Sequence, residues 1–476
     1  LEGLHATTIS PFEEISDSRW AAKPGFMLEA CPTMDAAVTA LLAVLGGLAC
    51  IVVAGLLIWL AWPLRYPLAT ESDYTHRRSP WWQIYYGHKY LRPVRRAEKG
   101  SGLEEHFADQ DFTFLLKPLS GSRKIRIVAT GDLMFRRDLL GAGGAKLWDD
   151  VGEVIFCADL SIANMEFAVN ERNVIEKILQ FSIAPALADP LMGDSRFGRF
   201  DVMSLANNHI NDSLSEGIVS TINYLDTIGM NYVGASLTPR DQEEVRIVER
   251  SGIKIAVLGY TFSTNGILLE DGFEHGTNVI RFNALDEADY DPSLIHRHIA
   301  RARELGAELI VSCHHWGIDL EHYPPARLAR RARALLEAGI DVIVGHHPHV
   351  VGPSERHTTR DGRDCLIFYS LGNFTGRGLF FPIQHLSQLV EITVESGFDD
   401  GGRRVVRPCH VALTPLYHAM QQTPEGVVNR VFPLQGALDS IAAKRPQSFL
   451  TRADIRRLPV LGRAYERFRL RGVEYR

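Results

Sequence analysis

Residues 338–350 read A-G-I-D-V-I-V-G-H-H-P-H-V. Asp341 to Val344 has the apolar, β-branched character of a short buried strand, and it runs directly into His346, His347 and His349. Strand ends in α/β proteins are where ligands and metals collect. Pro348 fixes one backbone dihedral between His347 and His349, so the loop has less freedom to lose when something binds. Neutral imidazole is a common transition-metal ligand, and three of them after one strand point to a metal site over a polar loop.

Upstream, the same pattern repeats. Lys124 to Thr130 (KIRIVAT) is a strand ending at Gly131-Asp132, and Leu160 to Met165 is another, ending at Glu166. Phe200 to Leu205 leads into Asn207-Asn208-His209, and Glu308 to Cys313 into His314-His315-Trp316-Gly317. Cys365 to Leu371 ends at Gly372-Asn373. Between them, Ser213 to Gly229, Pro292 to Leu305 and Pro325 to Ala338 carry apolar residues at helical spacing, with Gly339 as a C-cap. Strands alternating with helices predict an α/β fold. Its strand ends would gather Asp132, Glu166, Asn208, His209, His315, His347 and His349 at one edge, with Asn373 a structural neighbour. Mixed oxygen and nitrogen donors suit Mn, Fe, Zn or Co better than Ca or Mg, and one bridging carboxylate would allow two ions. No GxGxxG follows a strand, and Ser370 lacks a GxSxG setting, so neither a dinucleotide site nor a serine nucleophile competes.

The bulk properties bound the rest. The chain has 476 residues, 46% hydrophobic and 23% charged, with a formal net charge of −6. That charge argues against a nucleic-acid partner. The length predicts a main domain with appendages. Six scattered cysteines without a CxxC suggest neither a zinc ribbon nor a disulfide scaffold. Residues 1–33 are mixed polar and are expected to lack order, and Met27 and Met34 are candidate natural starts. Ala36 to Trp62 carries no charge, which predicts a single transmembrane helix over 34–63 with the lipid bilayer as partner. Residues 64–122 read as a juxtamembrane linker, 123–415 as the main α/β domain and 416–476 as a C-terminal appendage. Arg65, Arg77 and Arg78 after the span place the C-terminal part in the cytoplasm by the positive-inside rule.

The motifs GDLMFRR, NMEF, SLANNHIND, KIAVLGYT, HHWG, GIDVIVGHHPHVVGPSE and IFYSLGNF together resemble the CapA (poly-γ-glutamate capsule synthesis) family of the metallophosphatase superfamily, over Lys124 to Phe374. The resemblance implies a four-layer α/β/β/α sandwich. It implies Asp132 on a first metal, Glu166 as the bridging carboxylate, Asn208 on a second metal, His315 as the fourth-motif ligand, and His347 and His349 one on each metal. His209 would protonate a leaving group or touch the transferred one, and Arg137 would hold an anionic group. His346 stands where the family has a small residue and is left out of the ligand set, and His314 is a neighbour only. Met134 occupies the position of a superfamily histidine ligand, so the first metal has one ligand fewer. The implied function is a membrane-anchored hydrolase or transferase acting on an anionic envelope polymer, with synthase or exporter subunits as partners. The alternatives are a non-catalytic polymer-binding scaffold and a metal-dependent phosphodiesterase. Family membership would put the domain outside the cell, against the charge pattern.

Overall fold

The computed structural model describes residues 32–61, 94–139, 144–176, 180–376 and 381–476. The segment expected to lack order (1–33) falls almost wholly outside them, as does 62–93 of the expected linker. Residues 1–62 and 63–476 form two separate compact units. The first contains α1 (Pro32–Ala61), 30 residues of helix where a transmembrane segment is expected. Its described side chains, at 41–42 and 44–57, are exposed, Leu45, Ile51 and Leu56 among them. Among the described residues no helix is long and apolar enough to cross a membrane.

The second unit is built on two sheets. After α2 (Leu103–Ala108) the chain lays down β1 (Ser120–Leu133), β2 (Leu160–Met165), β3 (Val202–Ser204), α3 (Leu214–Thr227) and β4 (Asn231–Val233). It crosses to a second sheet through β5 (Arg246–Arg250), β6 (Ile253–Thr261), α4 (Ser293–Glu304), β7 (Leu309–His315), α5 (Ala326–Ala338), β8 (Val342–His346), β9 (Ser354–Thr358) and β10 (Asp364–Phe368). It returns with β11 (Asn373–Thr375), β12 (Leu386–Phe398), β13 (Arg404–Thr423) and β14 (Gly426–Pro433), then α6 (Leu434–Ala442), α7 (Arg452–Tyr465) and β15 (Glu474–Tyr475). The first sheet has nine strands in the order β14-β13-β12-β1-β2-β3-β4, with β11 on β1 and β15 on β13; the second has six, in the order β5-β6-β7-β8-β10-β9. β1 to β4 are mutually parallel, as are β6, β7, β8 and β10, each reached by a helical or loop crossover.

Side-chain alternation sorts each strand into two faces. Ile127, Ala129, Ile162, Val202, Val311, Val344 and Leu366 form one apolar cluster between the sheets. The opposite face of the first sheet (Val128, Ala163, Met165, Met203) packs with Ile218, Ile222 and Leu225 of α3. The opposite face of the second (Ala256, Ile310, Ile343, Ile367) packs with Ile295 and Ile299 of α4 and Leu328, Ala332 and Leu335 of α5. Three apolar layers between helices, two sheets and helices give the α/β/β/α order that the family resemblance implies.

The domain limits shift. β13 runs through the expected boundary at 415, so the segment after it is part of the fold. Leu458, Leu461 and Tyr465 of α7 are buried with Tyr417 of β13, and the Tyr417 hydroxyl donates to Asp454 at 2.6 Å. The end of the expected linker is equally integrated. Phe107 and Phe112 are buried, and Val94 pairs with Glu321. The spacing of the apolar residues in these stretches does not by itself show which partner covers them, so a linker and an appendage are all the sequence predicts there.

Candidate metal centre

The parallel strands of both sheets end at the same edge, and strand parity selects which residues face it. In β7, Leu309, Val311 and Cys313 face the space between the sheets, so His315 does too. His314 points to the helical side, where it packs on Phe282 and Trp316 and bonds Ser312 at 2.8 Å. In β2, Leu160 and Ile162 face inward, so Asn164 and the following Glu166 do as well. β1 has the wrong parity for this, and a register shift between Ala129 and Asp132 corrects it by inserting an extra residue against β2. Gly131 allows the bend: a Cβ there would lie 2.2 Å from the Gly372 carbonyl oxygen.

Asp132 and Glu166 are fully buried, and Asn208, His209, His315, His347 and His349 are all buried. Asn164 Nδ2 donates to Asp132 Oδ1 at 2.8 Å and lies 3.3 Å from His315 Nδ1, so one amide orients a carboxylate and an imidazole together. Asn208 Oδ1 and His315 Nε2 converge at 2.9 Å. His349 Nδ1 is 2.7 Å from Asn373 Oδ1, which commits that nitrogen to donation and turns Nε2 inward, 3.5 Å from Glu166. Asn373, read as structural, thus orients a ligand. His347 and His349 both have positive φ, 96° and 57°. Such backbone is costly for residues other than glycine and clusters at functional sites.

His209 Nδ1 meets Asp212 Oδ2 at 2.7 Å, and its ring stacks on Phe181 with centroids 4.0 Å apart. The carboxylate fixes the tautomer and leaves Nε2 as the working atom. Asn265, also at positive φ (58°), accepts from Asn208 Nδ2 at 3.0 Å and lies 3.4 Å from His209 Nδ1.

Three groups of ligand atoms fall within 4.8 Å of one another: Glu166-His315-His347, Asp132-Glu166-His349 and Asp319-His347-His349. Both Glu166 oxygens are buried without a hydrogen bond. Leaving a buried carboxylate bare is costly. Its carboxyl is pushed well above its usual range, first by burial and then by Asp132, Asp319 and Asp212. Burial and the neighbouring imidazoles hold His315 well below the usual histidine range, and burial pushes His347 down to about 4. Both therefore present lone pairs at neutral pH. Asp132 stays ionised: burial opposes this, but His346, His349 and Asn164 outweigh it. Ligands bonded at about 2.1 Å in a tetrahedron stand about 3.4 Å apart. Glu166 stands 3.6 Å from His315 Nε2 and 3.5 Å from His349 Nε2, so the residues present fit a divalent cation.

The structure thus brings together Asp132, Glu166, Asn208, His209, His315, His347 and His349. Arg137 stands exposed in the turn after β1, whereas Arg136 is the one that pairs with Asp138 and donates to the Gly376 carbonyl. His346, set aside on the sequence, is 1% exposed with Nδ1 2.9 Å from Asp132 Oδ1. Parity was the missed signal, since Val342 and Val344 of the same strand face the site side. Asp319, in the turn after the HHWG motif, was also missed, as was Asp212. Both are ordinary polar loop residues in sequence, and only position reveals them.

The fold and site define a class: a two-sheet α/β sandwich with a buried carboxylate and imidazole centre at its strand ends. Residues 126–377 match the family model described as bacterial capsule synthesis protein PGA_cap, more than half of the chain, and the protein belongs to that family. It is 32% identical over 178 residues to the capsule biosynthesis protein CapA of Bacillus anthracis, covering 37% of this chain and 40% of that one. It is 33% identical over 176 residues to the PGA biosynthesis protein CapA of Bacillus subtilis (strain 168), covering 37% and 42%. The matches thus span about two fifths of these relatives' length. A solved structure of a candidate 5'-nucleotidase from Staphylococcus aureus in complex with alpha-ketoglutarate aligns over 72% of this chain and 58% of that one, at 13% identity and a TM-score of 0.35.

Proposed function

We propose that this protein is a membrane-anchored, metal-dependent hydrolase or transferase acting in the synthesis, processing or export of an anionic capsule polymer of the poly-γ-glutamate class. The observation that carries the reading is the bare, buried Glu166 carboxylate standing at ligand spacing from His315 and His349. Asp132, Glu166, Asn208, His315, His347 and His349 would hold one or two ions of Mn, Fe or Zn. A bound ion of this kind polarises a carbonyl or phosphoryl oxygen and activates a water. His209, its Nδ1 held by Asp212, then donates a proton from Nε2 to the leaving group. Asn265 keeps the Asn208 amide turned so that its oxygen faces His315. Membrane anchoring is supported by the charge-free apolar run from Ala36 to Trp62 in the sequence. Synthase or exporter subunits in the same membrane are the partners this implies.

The test is metal content by mass spectrometry on the full chain after stripping and reloading with Mn, Fe or Zn, paired with turnover on a γ-glutamyl polymer and on generic phosphodiesters. At least one tightly held equivalent is expected, with polymer turnover reduced about 10²- to 10⁴-fold in His209→Ala. A protein that holds no stoichiometric metal ends this reading. Preference for the phosphodiester would replace the polymer as substrate class.

A scaffold role is the second reading. It is favoured by Met134, whose side chain is buried in the helix-side core and leaves the first metal one ligand short of the superfamily pattern. Capsule formation that survives His209→Ala in cells but is abolished by His347→Ala would select it.

A further inference from the structure

We propose that Asp319 is a direct ligand of the metal centre, supplying from the turn after β7 the donor that Met134 cannot supply from β1. This rests on the metal reading above and adds a residue that the ligand set inferred from the motifs lacks. Asp319 is 5% exposed and lies four residues beyond His315. Its Oδ1 is 3.4 Å from His347 Nε2 and 3.7 Å from His349 Nε2.

Two roles are open to a carboxylate beside metal-binding histidines, and distance separates them. A carboxylate that orients a ligand accepts a hydrogen bond from the nitrogen the metal does not use, at about 2.7–2.9 Å. For His349 that nitrogen is Nδ1, and Asn373 already takes it at 2.7 Å. Asp319 instead faces Nε2, the nitrogen that also faces Glu166. Its separations from the two imidazoles, 3.4 and 3.7 Å, match or slightly exceed the edge of a tetrahedron of bonds about 2.1 Å long, roughly 3.4 Å, and are longer than a charge-assisted hydrogen bond. Asp319, His347 and His349 are also one of the three groups whose ligand atoms lie within 4.8 Å of one another.

The backbone supports the placement. Gly317 and Leu320 on either side have positive φ, 76° and 59°, and Leu320 N donates to the Pro348 carbonyl at 2.9 Å. The Asp319 turn is thereby tied to the loop that carries both histidines. Met134 cannot substitute, because its side chain is buried in the apolar core cluster on the helical side of the first sheet.

The test uses the full chain, stripped and reloaded. Wild-type protein is titrated first with Mn(II) by calorimetry; a wild type that binds no metal removes the metal reading itself. Given binding, Asp319→Asn is expected to weaken at least one equivalent tenfold or more, with Asp319→Glu recovering part of the loss. Because an orienting residue can also cost 10- to 100-fold in affinity, direct ligation is read spectroscopically. Asp319→Cys loaded with Co(II) is expected to show a thiolate-to-cobalt charge-transfer band that the wild type lacks. A folded Asp319→Cys protein that binds Co(II) without that band overturns the proposal, and so does Asp319→Asn binding Mn(II) as the wild type does.

Discussion

Glu166 concentrates the energetics of the centre. A carboxylate with no hydrogen bond, beside Asp132 and within the field of Asp319 and Asp212, is an unfavourable neighbourhood until a cation joins it. Glu166→Gln removes that tension. It is expected to leave the metal-free protein at least as stable as the wild type while losing the stabilisation that Mn or Zn confers, about 2.7 kcal/mol at a hundredfold excess over Kd. Thermal melts with and without metal check this, and a variant that is still stabilised by metal contradicts it. The adjacent histidines of β7 make a second comparison. His315→Ala should abolish metal binding. His314→Ala, on the opposite face, should retain metal and cost on the order of 2 kcal/mol in stability through lost packing on Phe282 and Trp316. Equal metal loss in both variants would contradict the parity assignment.

At the scale of elements, one buried network ties three of them. Glu355 of β9 accepts from Arg333 of α5 at 2.6 Å and from the Tyr369 hydroxyl at 2.8 Å, and lies 3.2 Å from His106 of α2. Burial raises the Glu355 carboxyl, but the bonds from His106 and Arg333 outweigh it and leave it below the usual range. A carboxyl lowered on folding stabilises the protein above its unfolded pKa, near 4.5. That contribution fades as pH falls through the lower folded value. Glu355→Gln is therefore expected to cost about 2 kcal/mol at pH 7, less than a fully buried pair because Arg333 keeps some access to water. The gap to wild type should close as the pH drops below about 4, as urea denaturation at a series of pH values would show. A pH-independent difference would mean that packing, and not charge, accounts for the loss.

At the scale of the whole molecule, the C-terminal segment belongs to the second unit. β15 pairs with β13, Arg476 reaches Glu391 at 2.7 Å, and the Tyr465 hydroxyl donates to Gln388. A chain ended at Ala442 uncovers Tyr417 and Phe432 and is expected to be insoluble or to unfold at lower denaturant than the full chain. A truncated chain with an unchanged unfolding midpoint would restore the view of an appendage. The proposed action on an envelope polymer also predicts a topology. Cys157 is free and exposed, so a membrane-impermeant maleimide should label it in intact cells, and should not label Cys157→Ser at that site. Labelling of Cys157 only after lysis would place the domain on the inner side, as the arginines after the apolar segment suggest.

The alternation of strands and helices, the α/β class and seven of the centre's residues were legible in the sequence, because periodicity and strand-end position are local properties of the chain. The local pattern could also have included His346, which shares the parity of Val342 and Val344. Asp319 and Asp212 could not be found that way. Each is a polar residue in a turn, and it gains meaning only when separate strand ends are brought within a few ångströms. The register shift that turns Asp132 inward and the burial that leaves Glu166 bare are likewise products of two sheets packing face to face. The chain carries its secondary structure in short-range spacing. The shape and charge of the centre depend on long-range contacts that this spacing does not encode.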